Sequence, residues 1–145
     1  MTPYKYTYVL SDVELGTHFR VDFTLRAPRN GNLALSSRRG DQDSGIIYEI
    51  IIGGYVNSKS AIRRCKLCDK GQIEVSTVGI VSDSEDRAFW IEYSDGDVSV
   101  GRGEAPPMIN QTWSEAEQGE RPSTVYLGVS TWRDASGHWI FQNCS

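Results

Sequence analysis

Hydrophobic and polar residues alternate one by one along residues 18–26 of this chain. Phe19, Val21, Phe23 and Leu25 share one face of the segment, and polar or charged residues occupy the other face. A two-residue period is typical of a β-strand that buries one side and exposes the other side to water. The pattern therefore predicts a half-buried strand over residues 18–26.

Short runs of the same kind recur along the chain, separated by glycine, asparagine, aspartate, serine and proline. They lie at residues 4–10, 33–36, 46–52, 61–64, 72–78, 88–93, 98–102, 124–131 and 138–142. About ten short strands without intervening helices indicate an all-β fold, an antiparallel β-sandwich of jelly-roll type. At 145 residues the chain is expected to form one such domain, over residues 1–145.

Two local patterns refine this picture. Asp95-Gly96 separates two strand patterns, and this dipeptide tolerates the positive φ angles of a tight turn, so it predicts a β-hairpin. Residues 111–120 have a helix-compatible composition, but Trp113 is their only large apolar residue. A helix needs an apolar stripe to pack, so this segment is predicted to be a loop with at most one helical turn.

Residues 48–64 form the most distinctive motif, an apolar strand that runs into two glycines and a basic segment. They read Tyr-Glu-Ile-Ile-Ile-Gly-Gly-Tyr-Val-Asn-Ser-Lys-Ser-Ala-Ile-Arg-Arg. This motif resembles the signature of the farnesoic acid O-methyltransferase-like domain family. Residues 89–91, 95–103 and 126–131 match further parts of that family in order, so the resemblance extends over roughly residues 18–142.

The family name implies methyl transfer from S-adenosylmethionine, which usually requires a doubly wound α/β sheet and a glycine-rich turn that leads into a helix. The chain shows no such pattern, because Gly101-Arg102-Gly103 is followed by Pro106 and Pro107. A hydrolytic triad would have to use one of the two histidines, His18 or His138. The sequence therefore predicts a protein that is not an enzyme and holds no cofactor.

Paired carboxylates for glycoside hydrolysis remain open, since their separation decides that chemistry. The candidates are Glu49, Glu92, Asp95 and Asp97.

Net charge and hydropathy exclude several other classes. The net charge of −4 argues against nucleic-acid binding, which depends on clustered lysine and arginine. No run of about 18 apolar residues exists, so no membrane insertion is expected. The first residues lack a signal-peptide pattern, so the soluble chain is either cytoplasmic or secreted after removal of a signal.

The three cysteines, Cys65, Cys68 and Cys144, leave an odd count. The Cys65–Cys68 spacing suits a redox pair, half a zinc site or a small-loop disulfide, and a structural role is favoured because neither a βαβ fold nor a familiar zinc spacing accompanies it. Cys144 near the end of the chain is a candidate for an intermolecular bridge. No acidic cluster has calcium-loop spacing, and no metal is predicted.

Two loops carry the residue types that suit sugar binding, namely aromatic rings that stack on a pyranose and polar groups that bind hydroxyls. The first loop, residues 54–60, offers Tyr55 and Asn57, although Asn57 also suits a purely structural turn. The second loop, residues 131–139, is the preferred site; it places Trp132, Arg133, Asp134 and His138 together, with Trp139 expected in the core.

Two further candidates come from the motif and the polar loop. Arg63 is a possible ligand-binding residue, with a cross-strand ion pair to Glu49 or Glu92 as its alternative role. Trp113 is a weaker stacking candidate, and Trp90 is expected to pack in the core or between subunits.

These observations favour a lectin-like, non-enzymatic carbohydrate-binding domain whose partner is a glycan or small saccharide. A homodimer is expected, because a single shallow sugar site binds weakly and two linked sites gain avidity. A protein–protein recognition module is the alternative, and the methyl transfer implied by the resemblance is a further one.

Overall fold

The computed structural model describes residues 18–38, 45–65, 71–122, 124–131 and 138–144. They form two antiparallel sheets of five strands each. Sheet I has the strand order β10-β1-β6-β7-β8, and sheet II has the order β5-β4-β3-β2-β9. Five of the eight strand pairs join consecutive strands, and three pairs, β1 with β10, β1 with β6 and β2 with β9, join strands distant in sequence. This arrangement is the predicted antiparallel all-β sandwich.

The strands are short and are linked by turns or loops. Their bounds are β1 (His18–Arg26), β2 (Gly31–Ser36), β3 (Ile46–Gly53), β4 (Lys59–Arg63), β5 (Ile73–Ser76), β6 (Arg87–Ser94), β7 (Asp97–Arg102), β8 (Ile109–Gln111), β9 (Tyr126–Thr131) and β10 (His138–Cys144). Two four-residue helical turns, α1 (Gly54–Asn57) and α2 (Glu115–Gln118), complete the described elements.

Nine of the predicted runs correspond to strands, and the alternation in β1 is the burial pattern that the structure shows. Asp95 and Gly96 both have positive φ, and β6 and β7 pair across them, which confirms the hairpin. The turn α2 confirms a single helical turn within residues 111–120. The three-residue strand β8 was not predicted, and the run at residues 4–10 lies outside the described residues.

The core lies between the two sheets. It is formed mainly by every second residue of the strands, whose side chains point inward. Aromatic rings dominate the sheet I side, where Phe19 stacks on Tyr93 and Phe23 contacts Phe89. Trp139 was predicted to lie in the core. It is half-buried and packs against Phe23 at the edge of the core. This rigid interior supports the loops at both ends of the sandwich.

Trp90 is also buried, as expected, but it points away from the core on the outer face of sheet I. Its ring lies over Gly101, whose missing side chain leaves the space: an added Cβ would approach the indole to 2.4 Å. The guanidinium carbon of Arg20 lies 4.6 Å from the centroid of the same ring, a cation–π contact.

Two polar contacts join the sheets. Gln111 on β8 donates its amide to the carbonyl of Ile62 on β4 at 3.1 Å. The buried Tyr48 hydroxyl, from the first position of the motif, donates to the Gly96 carbonyl at 2.8 Å. In the described part of the chain, no helix is long and apolar enough to cross a membrane.

Two buried tyrosines, Tyr48 and Tyr93, make the stability of the fold sensitive to alkaline pH. Burial raises the pKa of Tyr93 to about 12 and raises the pKa of Tyr48 as well. Below pH 10, the ordinary tyrosine value, both rings are neutral in either state; between about pH 10 and 12 only the unfolded chain ionises them. We therefore expect the free energy of unfolding to fall across that window, with a smaller loss in Tyr93→Phe, as measured by urea unfolding at stepped pH.

Candidate functional site

The connection between β3 and β4 adopts an unusual backbone. Tyr55, Val56 and Asn57 have φ values of 52°, 56° and 58°, so the turn α1 is left-handed over three successive non-glycine residues. A left-handed conformation costs about 1–2 kcal/mol per residue, and a β-branched residue such as Val56 adopts it rarely. Strain of this size is typical of sites where the conformation itself is needed.

The surrounding structure holds this turn in place. The Asn57 amide donates to the Val81 carbonyl at 2.8 Å and accepts from the Val81 amide at 3.1 Å. The Thr77 amide donates to the Ser58 carbonyl, and the Gly79 amide donates to the Asn57 carbonyl. The turn is thus bonded to the β5–β6 connection on one side.

The left-handed turn presents its side chains to solvent. The exposed fractions of Tyr55 and Val56 are 63% and 79%. The Lys59 ammonium lies 5.2 Å from the centroid of the Tyr55 ring. An exposed ring on a rigid backbone is a surface on which another planar or apolar group can stack.

Beside this turn lies a cleft of about 360 Å³ on the outer face of sheet II, the side that faces away from sheet I. Ile51 and Ala61, paired in register on β3 and β4, form an apolar floor. Gly54 lies directly over the floor, because a Cβ added to it would approach Ile51 to 2.8 Å. The lining residues are Arg29, Asn30, Asn32, Ile51, Gly54, Tyr55, Val56, Ala61, Arg63 and Gln72.

Another part of the lining, the amide wall, is formed by Asn30 in the β1–β2 loop and Asn32 near the start of β2. The Asn30 amide donates to the Asn32 side-chain carbonyl at 2.9 Å, and both side chains are buried. The bond holds the two side-chain amides in one orientation. Amides in fixed positions offer directional donors and acceptors to a polar ligand.

Arg63 lies on the same face and is anchored by a buried carboxylate. Its Nε lies 2.6 Å and its Nη2 2.5 Å from Oε1 of Glu49, whose side chain is 0% exposed. Glu49 and Arg63 are opposite one another on β3 and β4. The cross-strand pairing weighed for Arg63 is therefore present, and Arg63 also lines the cleft.

The predicted site residues are thus divided by the structure. Tyr55 and Arg63 line the cleft, whereas Asn57 stands behind the turn and bonds to Val81. Trp113 is only 8% exposed, and its indole donates to the Gly119 carbonyl. Its ring packs against Tyr48, so the expectation of an exposed stacking ring is corrected.

The second predicted loop is described only at its ends. Trp132, Arg133 and Asp134 lie outside the described residues. His138 is exposed at the start of β10 and pairs with Arg26 in sheet I, so it is not a lining residue of the cleft. Thr131 pairs with Gly31, next to the amide wall.

Sequence reasoning missed the amide wall and Gln72. Asn30-Gly31-Asn32 carried a turn signal, but nothing in it indicated that the two asparagine side chains would bond to each other. Gln72 precedes an edge strand and carries no motif.

Other chemistry finds little support in the described residues. Cys65 is disulfide-bonded, which agrees with a structural role and removes its thiolate as a zinc ligand. Glu49 and Glu92 lie on the outer faces of opposite sheets, so they cannot flank one glycosidic bond. Asp97 accepts from the Trp113 backbone amide.

A family model described as farnesoic acid O-methyl transferase matches residues 2–145. No curated protein matches the sequence. Similar solved structures include a tetrameric galectin from the ball sponge Cinachyrella sp., with a TM-score of 0.56 and 13% identity over 99% of this chain and 98% of that one.

Two further structures are similar to the same extent. Sheep galectin-11 has a TM-score of 0.54 and 12% identity, covering 92% of each chain. A carbohydrate-binding module from Bacillus subtilis has a TM-score of 0.59 and 11% identity, covering 99% of this chain and 94% of that one. At such identities the likeness shows a shared β-sandwich fold.

Proposed function

We propose that the chain, which belongs to the farnesoic acid O-methyl transferase family, is a non-enzymatic carbohydrate-binding domain. The observation that carries the proposal is the exposed Tyr55 ring at the rim of a cleft with an apolar floor and amide walls. Sugars need this combination, because one side of a pyranose is apolar and its hydroxyls are directional.

The size and composition of the cleft suit one or two sugar units. Its volume of about 360 Å³ is at the small end for ligand sites, and its mouth is open on the outer face of sheet II. Tyr55 supplies the stacking surface, while Asn32, Arg63 and Gln72 supply polar groups. The similar solved structures include galectins and a carbohydrate-binding module, and by analogy they support a sugar-binding role for this fold.

The residues present do not fit S-adenosylmethionine. Both described helical turns are four residues long, and Gly101–Gly103 continues into a loop that contains two prolines before β8. A glycine-rich turn into a helix, which would hold the nucleotide part of that cofactor, is not found in the described ranges. We therefore derive no methyl transfer from this chain, and a calorimetric titration with S-adenosylmethionine should be flat.

Replacing Tyr55 with alanine is expected to weaken saccharide binding by about tenfold or more, because stacking on an aromatic ring contributes roughly 1–2 kcal/mol. The measurement is a glycan array followed by calorimetry on the best ligand. Tyr55→Phe should keep most of the affinity, since it keeps the ring.

Ile140→Ala is the matched control, because Ile140 is an exposed apolar residue on sheet I. It should bind as the unchanged protein does. Equal binding by Tyr55→Ala and Ile140→Ala would contradict the role assigned to the cleft.

A protein-recognition role is the second candidate. Val56 and Val78 are 79% and 81% exposed, and the bond from the Gly79 amide to the Asn57 carbonyl brings their two loops together. Such an apolar pair suits a protein contact. A blank glycan array together with a Val56- and Val78-dependent protein contact would favour this role.

The proposed partner arrangement is a homodimer, in which two weak sugar sites act together. Sedimentation velocity at increasing protein concentration tests it directly.

A further inference from the structure

The edge strand β8 carries a feature that the proposed function does not use, an acceptor pattern for N-linked glycosylation. Asn110, Gln111 and Thr112 match the pattern of an asparagine, any residue except proline, and a serine or threonine. Such a pattern is modified where the asparagine reaches the surface of a protein that enters the secretory route. We propose that Asn110 is a glycosylation site of this chain.

The alternation of side chains in β8 points Asn110 to solvent. Ile109 and Gln111 are buried, whereas Asn110 between them is exposed. The Gln111 amide donates to the Ile62 carbonyl of sheet II, which fixes Gln111 on the inner face and Asn110 on the outer face of sheet I. Thr112, just after the strand, is exposed as well. Both side chains on which the glycosylation pattern depends are therefore at the surface.

The position of β8 in the sheet leaves room for a bulky glycan. β8 is the last of the described strands in sheet I, and it pairs with β7, where Ser99 lies opposite Asn110. The loop before it, residues 103–107, is exposed throughout. A hydrated oligosaccharide on Asn110 would extend beside this edge, where its bulk would hinder pairing of β8 with another chain. Protection of an edge strand is thus the structural effect expected of the modification.

The state of Cys65 indicates a compartment in which this modification takes place. Cys65, which follows β4, is disulfide-bonded. Disulfides form and persist in oxidising compartments such as the lumen of the endoplasmic reticulum, and they are rare in the cytosol. Asparagines of secretory proteins are glycosylated in the same lumen. The disulfide at Cys65 and the exposed acceptor in β8 are separate observations, and both favour passage through the secretory route.

The modification is a glycosyl transfer from a lipid-linked oligosaccharyl diphosphate, which the host cell supplies together with the transferase. The side-chain nitrogen of Asn110 forms a bond to the anomeric carbon of the first sugar, and the bond between that carbon and the diphosphate oxygen breaks. The lipid diphosphate leaves, and the amide nitrogen gives up one proton to a base of the transferase. No group is oxidised or reduced. The hydroxyl of Thr112 is the part of the pattern that the transferase recognises beside the asparagine.

Mass spectrometry of the full chain tests the inference, with the chain expressed behind a cleavable signal peptide in cultured animal cells. The mass is measured before and after treatment with peptide N-glycosidase, which releases the glycan and leaves an aspartate in place of the modified asparagine. Peptide mapping should therefore find aspartate at position 110. Asn110→Gln and Thr112→Ala should each remove the mass of one glycan, whereas Thr112→Ser should keep it because serine also completes the pattern.

The second acceptor pattern of the sequence, Asn143-Cys144-Ser145, supplies the control. Asn143→Gln should leave the glycan on Asn110 in place. An unmodified Asn110 in the chain recovered from the cells and from the medium would overturn the inference, and so would a glycan found only at Asn143. Either result leaves the proposed saccharide binding untouched, because Asn110 is not a lining residue of the cleft on sheet II.

Discussion

Arg63→Met is expected to destabilise the protein by about 3–5 kcal/mol, because it removes the guanidinium from a carboxylate that is 0% exposed. The loss is large because the carboxylate of Glu49 stays buried and charged after its ion pair with Arg63 is removed. Urea unfolding followed by tryptophan fluorescence measures the effect as a lower midpoint.

Two companion variants test whether the loss of stability comes from the burial of the ion pair or from the loss of any ion pair. Arg121→Met breaks an exposed pair with Glu115 and should cost under about 1 kcal/mol. The double variant Glu49→Gln with Arg63→Met removes the buried charge as well, so it should recover much of the lost stability. If Arg63→Met and Arg121→Met lowered stability equally, the Glu49–Arg63 pair would not have the importance assigned to it.

Asn57→Ala should cost about 2–3 kcal/mol, because it removes both hydrogen bonds to Val81 and places alanine at a φ of 58°. Saccharide binding should fall with it, since Tyr55 would lose its fixed orientation. Differential scanning calorimetry and the calorimetric titration described above measure the two effects.

Val56→Gly is a control in the same turn for which we expect no loss of stability. Glycine adopts a φ of 56° without strain, and Val56 is too exposed to lose much buried area, so this variant should be no less stable than the unchanged protein. A marked loss of stability in Val56→Gly would show that the turn is held by packing of Val56.

The sandwich was predictable from the sequence because strand signals are local. The alternation in β1 and the Asp95-Gly96 turn need only neighbouring residues, and the structure confirms both. Strand β8 was missed because three residues are too few to show a period. It owes its place to pairing with β7 and to the bond from Gln111 to Ile62.

The site was predictable only in part. Tyr55 followed a double glycine, which marked it as a loop residue at the rim. The left-handed turn was not predictable, since tyrosine and valine rarely have positive φ. The bonds that hold it, from Asn57 to Val81 and from the Thr77 and Gly79 amides, come from a segment about twenty residues further along the chain. The position of the amide wall beside the cleft floor depends on the pairing of β2 with β3, which places Asn32 opposite Ile51.

The bonds between the left-handed turn and residues 77–81 give the binding surface a remote point of adjustment. Thr77, Gly79 and Val81 are not lining residues of the cleft, yet their backbone groups bond to Asn57 and Ser58, which follow Tyr55 and Val56 in the turn. A one-residue insertion there is expected to move Tyr55 without changing the identity of any lining residue. Residues 77–81 can in this way alter the shape of the cleft although none of them lines it.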